Sequence, residues 1–376
     1  MLPRLAPCHT NYRSLQFYLR SWIDERNGKL NVYHTIRAND GQSLWSESSP
    51  KKMACRDRFY TGTAHNQDDA AIENMLHDRY EDPAAPVIAH LRKDCRYKPT
   101  SEELDCLVNY FAAQLFRTPA AYEREREIAE KTWPKVADKA VASVLKSVVT
   151  DGRVDHSKVE RQQKVRERKY RQIALPSVPV RTRLVGGGVL AETLAGKSMF
   201  NDTLVRSLPR YAETCRQNTW RVICTPEGGM ELITSDNPAF CLSQYRDGTY
   251  KLNGGLRQKN CVLALPVTPR VLLFSQVGAT FQELDAFQTG FGEAEVQFFN
   301  RLTAENAVQF IFVKNRTLRL NMCVHKWRSS IVNPDQLRLM QEADKNWHWD
   351  NVEAERAFYS EKAGAQFTGR GIDLAV

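Results

Sequence analysis

The sequence predicts an α+β protein, with a helical N-terminal half packed on a mainly antiparallel sheet formed by the C-terminal half and an N-terminal hairpin. Three features predict it. Apolar residues recur at helical spacing between about residues 67 and 217. After Asn218, short runs of β-branched and aromatic residues are separated by Gly and Pro. Near the start, an Asn27-Gly28 pair punctuates two apolar runs, as a tight turn does. The expected organisation is a single domain over residues 1–315, helical at about 67–217 and strand-rich at about 218–315, with residues 316–376 an extension that packs back on it.

Taken in order, Leu15 to Trp22 is aromatic-rich and reads as a short helix or extended piece, followed by the Asn-Gly turn and a strand at Lys29 to Tyr33. Residues 37–52 are polar and aperiodic and read as a surface loop. Ile72, Met75, Leu76 and Tyr80, then Val87, Ile88 and Leu91, keep helical spacing, interrupted near Pro83 and Pro86. Thr100 or Ser101 ahead of Glu103 is a cap for a helix through Leu107, Tyr110, Phe111, Gln114 and Leu115. A further helix begins at Pro119 and is expected to break near Trp133-Pro134. A charge-dense helix follows at Lys158 to Arg171, and Gly186-Gly187-Gly188 leads into another helix through Leu190, Leu194, Met199, Leu204 and Leu208.

In the second half, Trp220 to Cys224 and Met230 to Thr234 read as strands joined by a Glu227-Gly228-Gly229 turn. Strands at Tyr250 to Leu252, Cys261 to Leu265 and Val271 to Phe274 follow, then a helix near Glu283 to Leu302 and a strand at Val308 to Val313. Trp327, Trp347 and Trp349 suggest that the C-terminal region packs back.

Composition narrows the class. No apolar run approaches the roughly 20 residues that span a bilayer, and Met1 to Arg13 lacks a secretory apolar core, so a cytoplasmic protein is expected. The nine cysteines stand singly with no Cys-x-x-Cys pair, which argues for reduced, mostly buried thiols and against a disulfide framework or structural zinc. The net charge of +9 suits a phosphate backbone, since lysine and arginine bind it by releasing counterions, although a solvated basic surface looks the same.

Four constellations are candidates for chemistry. Ser235-Asp236-Asn237, ahead of Pro238, ends a strand where side chains leave the sheet edge, yet an Asx turn capping the strand has the same composition. Arg117, in Gln114-Leu115-Phe116-Arg117-Thr118-Pro119, either satisfies helix-end carbonyls or grips a phosphate or carboxylate as a planar fork. Glu73 and Glu81, two helical turns apart, share a face if the helix is unbroken, although surface acids are usually solvated. Lys158, Arg161, Lys164, Arg168, Lys169 and Arg171 either follow a nucleic-acid backbone or form a solvated helix face. P-loop, zincin, nucleophile-elbow and deaminase signatures are missing and the histidines have no ligand spacing, so no metal and no cofactor are expected.

The ordered set of motifs resembles the bacterial family of unknown function DUF4238 across residues 12–315. The matching pieces are Gln16-Phe17-Tyr18-Leu19-Arg20, Gly28-Lys29-Leu30-x-Val32-Tyr33, Phe59-Tyr60, Ile72-Glu73, Glu81, Gln114-x-x-Arg117-Thr118-Pro119, Thr234-Ser235-Asp236-Asn237-Pro238 and Leu265-Pro266-x-x-Pro269. Where the family begins with a His and then a Pro, this chain has Tyr12 and Leu15. The basic insertion and the C-terminal extension also depart from the pattern.

The activity the resemblance implies is phage defence by a DNA glycosylase that excises glucosylated hydroxymethylcytosine. The partner would be double-stranded phage DNA, with no membrane and no obligate protein partner. Base excision extrudes the nucleotide and builds positive charge on the deoxyribose, which a fixed carboxylate stabilises. On this reading Asp236 is the acid, with Asn237 and Ser235 in support and Arg117 and Gln114 binding substrate. Tyr18 and Tyr60 stack on the base, and no lysine adjoins the motif to form a Schiff base. Two alternatives stand beside it: a nuclease holding Mg²⁺ on Glu73, Glu81 and Asp236, and a non-catalytic nucleic-acid-binding protein.

Overall fold

The computed structural model describes residues 13–35, 44–53, 71–151, 180–185, 188–192, 197–245, 249–252, 255–329 and 366–367. In chain order the elements begin with α1 (Arg13–Leu19), a 3₁₀ turn (Arg20–Trp22), β1 (Ile23–Asp24), β2 (Lys29–His34), β3 (Trp45–Ser48) and α2 (Pro50–Met53). Then come α3 (Ala71–Leu76), a π-helical turn (His77–Glu81), α4 (Ala85–Lys93), α5 (Ser101–Phe116), α6 (Pro119–Asp151), β4 (Val180–Val185) and β5 (Gly188–Glu192). The second half holds α7 (Lys197–Arg216), β6 (Trp220–Cys224), β7 (Thr234–Ser235), β8 (Phe240–Gln244), β9 (Tyr250–Leu252), β10 (Val262–Thr268) and β11 (Val271–Gln276). It ends with α8 (Phe281–Thr289), α9 (Glu293–Asn306), β12 (Phe310–Val313), α10 (Leu318–Ser329) and β13 (Gln366–Phe367). The protein is thus α+β, with antiparallel sheets and helices in its N-terminal half, as the periodicities predict.

The chain divides into two compact units instead of one domain with an extension. The first comprises residues 1–57, 75–120 and 208–347, and the second residues 58–74, 121–207 and 348–376. Local patterns name elements but not which of them share a core, so the boundary at 315 had no packing behind it.

The first unit is built on two antiparallel sheets. One runs β1-β2-β12-β7, with β3 also paired to β2. Ile311 of β12 sits opposite Tyr33 on one side and Ser235 on the other, so the N-terminal hairpin and the Thr234-Ser235 strand flank the same strand. Gly28 takes a φ of 69° in the hairpin turn, where a side chain would be strained. The second sheet runs β6-β11-β10-β8-β9. Its face bearing Phe240, Leu242, Ala264, Leu272 and Phe274 packs against Leu284 of α8 and Val296, Phe299 and Leu302 of α9. Burying a side chain of this size stabilises by about 1.5–3 kcal/mol. Helix α5 reaches this sheet as well, its Phe111 ring lying 4.9 Å from that of Trp220. The second unit contains a three-stranded sheet, β13-β4-β5, and most of α6.

Several expectations are corrected. The stretch 37–52 holds a strand and a helical turn, because β3 pairs with β2 despite its polar sequence. Helix α6 runs 33 residues and continues through Pro134, where a break was expected. Leu190 lies in the β4–β5 hairpin, with the helix starting only at Lys197. Residues 230–233 are not strand, and β6 and β7 belong to different sheets, so no hairpin forms across Gly228-Gly229. The helix expected at 283–302 is two helices, divided at Gly290. The C-terminal region does pack back as far as α10, whose Leu320 and Val324 join a core with Tyr33, Trp45 and Ile311. Among the described residues no helix is long and apolar enough to cross a membrane.

Cysteine chemistry also differs from expectation. Cys215, Cys241 and Cys261 are buried thiols, but Cys95 and Cys224 form a disulfide. Folding brings their Cα atoms to 5.6 Å although 129 residues separate them, which single spacing along the chain cannot reveal.

Candidate functional site

The site grows from α5 and the π turn, both in the first unit. Thr100 caps α5 with a reciprocal capping box: its hydroxyl accepts from the Glu103 N–H, and the Glu103 carboxylate accepts from the Thr100 N–H. The helix then buries nearly all of its last ten residues. Tyr110, Gln114 and Arg117 recur at i, i+4 and i+7, so three polar side chains share one buried face. The π turn supplies the opposing charge. This wider turn, closed by the Asp82 N–H donating to the His77 carbonyl, ends on a buried Glu81.

Glu81 and Arg117 form an ion pair with each side chain 2% exposed. Such a pair is stable only where further contacts offset the loss of water from both charges. Part of the offset is visible. The Arg117 guanidinium carbon lies 5.6 Å from the centre of the Tyr110 ring. His77 Nδ1 lies 3.6 Å from Glu81 Oε2, while its Nε2 lies 3.3 Å from Asp82 Oδ1. Gln114 is fully buried, and neither its amide oxygen nor its amide nitrogen finds a partner of good geometry; the same is true of the Tyr110 hydroxyl beside it. Burial pushes the Tyr110 phenol well above its ordinary value, with the neighbouring Tyr18 adding to the effect and Gln114 opposing it.

Tyr18 forms the link to the β7 motif. Its hydroxyl donates to the Pro266 carbonyl at 2.6 Å, which leaves the Thr234 hydroxyl, also at 2.6 Å, to donate to it. Burial raises this phenol far above its usual value, against the opposing influence of Thr234 and Arg117. Tyr18 is therefore a fully buried brace, correcting its expected role as a stacking platform for a base.

The Ser235-Asp236-Asn237 side chains are committed largely to backbone. Asp236 accepts the Val308 N–H at 2.9 Å and the Gln309 N–H at 2.8 Å, one on each oxygen. Asn237 accepts from the Thr118 hydroxyl at 2.9 Å and donates to the Asn306 carbonyl at 3.0 Å. Asn306 returns a bond to the Asn237 carbonyl at 2.7 Å. Ser235 Oγ accepts the Asn237 N–H at 3.2 Å. These bonds give the motif the Asx-turn work of fixing the chain on either side of it, and they fasten Thr118, next to Arg117, to the strand end.

Glu73 falls in the second unit, with a partly buried carboxyl that burial holds above the usual range and whose Oε1 has no hydrogen-bond partner. The change from α to π winding after Leu76 removes the simple rule that would have set it on one face with Glu81. Tyr60 and the basic residues Lys158, Arg161, Lys164, Arg168, Lys169 and Arg171 lie outside the described residues. Among the described residues, His77, Asp78 and Asp82 bring ligand-type atoms within 4.8 Å of one another, both aspartates being exposed. Sequence reading missed Tyr110, His77 and Asn306 as members of the cluster. Only the i, i+4, i+7 spacing of Tyr110 with Gln114 and Arg117 could have flagged one of them.

The fold and site define an α+β protein with a buried glutamate–arginine centre braced by a Thr-Ser-Asp-Asn strand end. A family model described as "Protein of unknown function (DUF4238)" matches residues 16–317, and the chain belongs to that family. No curated protein and no solved structure gave a match.

Proposed function

We propose that this protein is a monofunctional DNA glycosylase that excises glucosylated hydroxymethylcytosine from phage DNA and leaves abasic sites. The observation that carries the reading is the buried Glu81–Arg117 pair beside a Gln114 amide with no partner of good geometry. Charged and polar groups gathered in a dry interior are costly, and they are retained where a polar ligand uses them. The net charge of +9 supports a polyanionic partner.

In the proposed reaction Glu81 takes the role first given to Asp236, whose two oxygens already serve main-chain amides. Cleavage of the N-glycosidic bond leaves the bonding electrons on the base and positive charge on the sugar. A carboxylate in a low-dielectric site stabilises that charge and orients the water that attacks the sugar carbon. Arg117 supplies the counter-charge to Glu81 and positions it. Gln114 offers both a donor and an acceptor to the extruded base or its glucose. Asp236 and Asn237 fix the frame. Because Glu81, Gln114 and Arg117 are each at most 3% exposed, the extruded nucleotide reaches them only after their cover opens.

The test is incubation of purified protein with glucosylated and with unmodified DNA, scoring abasic sites. Abasic sites confined to the glucosylated DNA support the reading; none on either removes it. A second reading, a metal-dependent nuclease, draws on the His77–Asp78–Asp82 group next to Glu81 in the chain. Direct strand scission that requires a divalent cation selects that reading.

A further inference from the structure

We propose that Cys95 and Cys224 form a reversible thiol–disulfide latch, addressed by dithiols and by glutathione, that fastens the α4–α5 connection to the end of β6. The connection, residues 94–100, is otherwise tied mostly to itself. The Asp94 N–H donates to the His90 carbonyl, the Tyr97 N–H to the Asp94 carbonyl, and the Arg96 N–H to the Asp94 carboxylate. The Tyr97 hydroxyl donates to Glu103, and Thr100 exchanges its capping bonds with the same residue. Among the described residues, one hydrogen bond leaves this stretch for the sheet: Arg96 to Glu227 at 2.6 Å, with side chains 72% and 75% exposed. An exposed pair of that kind contributes little, so the covalent bond supplies most of the tie.

Neither half of the disulfide is buried. Cys95 and Cys224 are half-exposed and flanked by the exposed residues Asp94, Arg96 and Glu227, whereas Cys215, Cys241 and Cys261 are buried. In reduction, the thiolate of a dithiol or glutathione attacks one sulfur and breaks the Cys95–Cys224 bond. A second reductant thiolate resolves the mixed disulfide. Two electrons and two protons pass to the cysteines, and the reductant leaves as its own disulfide. Glutathione disulfide drives the reverse.

The test uses the full chain and needs no DNA. Protein equilibrated over a range of glutathione to glutathione disulfide ratios is alkylated, digested and mapped for the linked peptide pair. In parallel, native protein is treated briefly with trypsin and cleavage after Arg96 is read on reducing gels. The latch predicts a linked Cys95–Cys224 pair whose occupancy follows the ratio. It also predicts cleavage after Arg96 about tenfold faster in the reduced protein, reversed by re-oxidation. Cys95→Ser and Cys224→Ser should cleave at the reduced rate without any reductant. Should either variant fail to fold, the wild-type protein with and without dithiothreitol gives the same comparison. Absence of the linked pair at every ratio, or equal cleavage of the two forms, overturns the latch.

Discussion

Replacing Arg117 by methionine would strip a buried carboxylate of its counter-charge. Glu81 and Arg117 are each 2% exposed, so water can compensate little for the loss. Removing one partner of such a pair costs about 3–5 kcal/mol, a large part of the roughly 5–15 kcal/mol that holds a domain folded. With a urea m-value of about 3 kcal/mol per molar, the unfolding midpoint should fall by roughly 1–2 M. Glu81→Leu should cost a similar amount, because it takes the carboxylate away from a guanidinium that is just as buried. The double variant, Glu81→Leu with Arg117→Met, replaces two desolvated charges by apolar groups and should be more stable than either single one. Urea melts of the four proteins, followed by circular dichroism at constant m, complete the cycle. A cost below about 1 kcal/mol for either single substitution, or a double variant that loses the sum of both, would refute a mutually dependent buried pair.

Gln114→Met should abolish base excision while changing stability by no more than about 1 kcal/mol, read as the melting temperature, because it keeps the buried volume but removes the amide. Asp236→Asn should destabilise by about 1.5–3 kcal/mol, because an amide cannot accept both the Val308 and Gln309 N–H groups on its two ends. Whatever fraction stays folded should retain excision, which separates a frame role from a reacting one. Asp24 is held well below the usual carboxylate range by hydrogen bonds from Arg26. Its contribution is therefore present above its ordinary value of 3.8 and lost as pH falls towards the lower folded value. Melting temperatures of Asp24→Asn should fall below wild type at pH 7 and converge with it in strong acid.

What was legible in the sequence was local. The hairpin at Gly28, the Thr100–Glu103 capping box and strands β10 and β11 each follow from residues within one turn or one strand of each other. The polar members of the site were also visible as residues, Glu81, Gln114 and Arg117 among them. Their roles were not. Asp236 finds its partners 72 and 73 residues away, and a strand-end aspartate looks the same whether it faces substrate or amides. Tyr18 meets Thr234 across 216 residues, which turns an aromatic that looked ready to stack into a core brace. The π turn has no composition of its own, so the burial of Glu81 at its end had no sequence signal. The same distance problem hid the Cys95–Cys224 bond.

The most direct test is mass spectrometry of the small molecules released from glucosylated phage DNA by wild-type protein and by Glu81→Gln, after circular dichroism has shown both to be folded. A free glucosylated hydroxymethylcytosine base from the wild type, and none from Glu81→Gln, is the predicted result. Release of nucleotides or of free glucose in its place, or equal release by the two proteins, would contradict a glycosylase centred on Glu81.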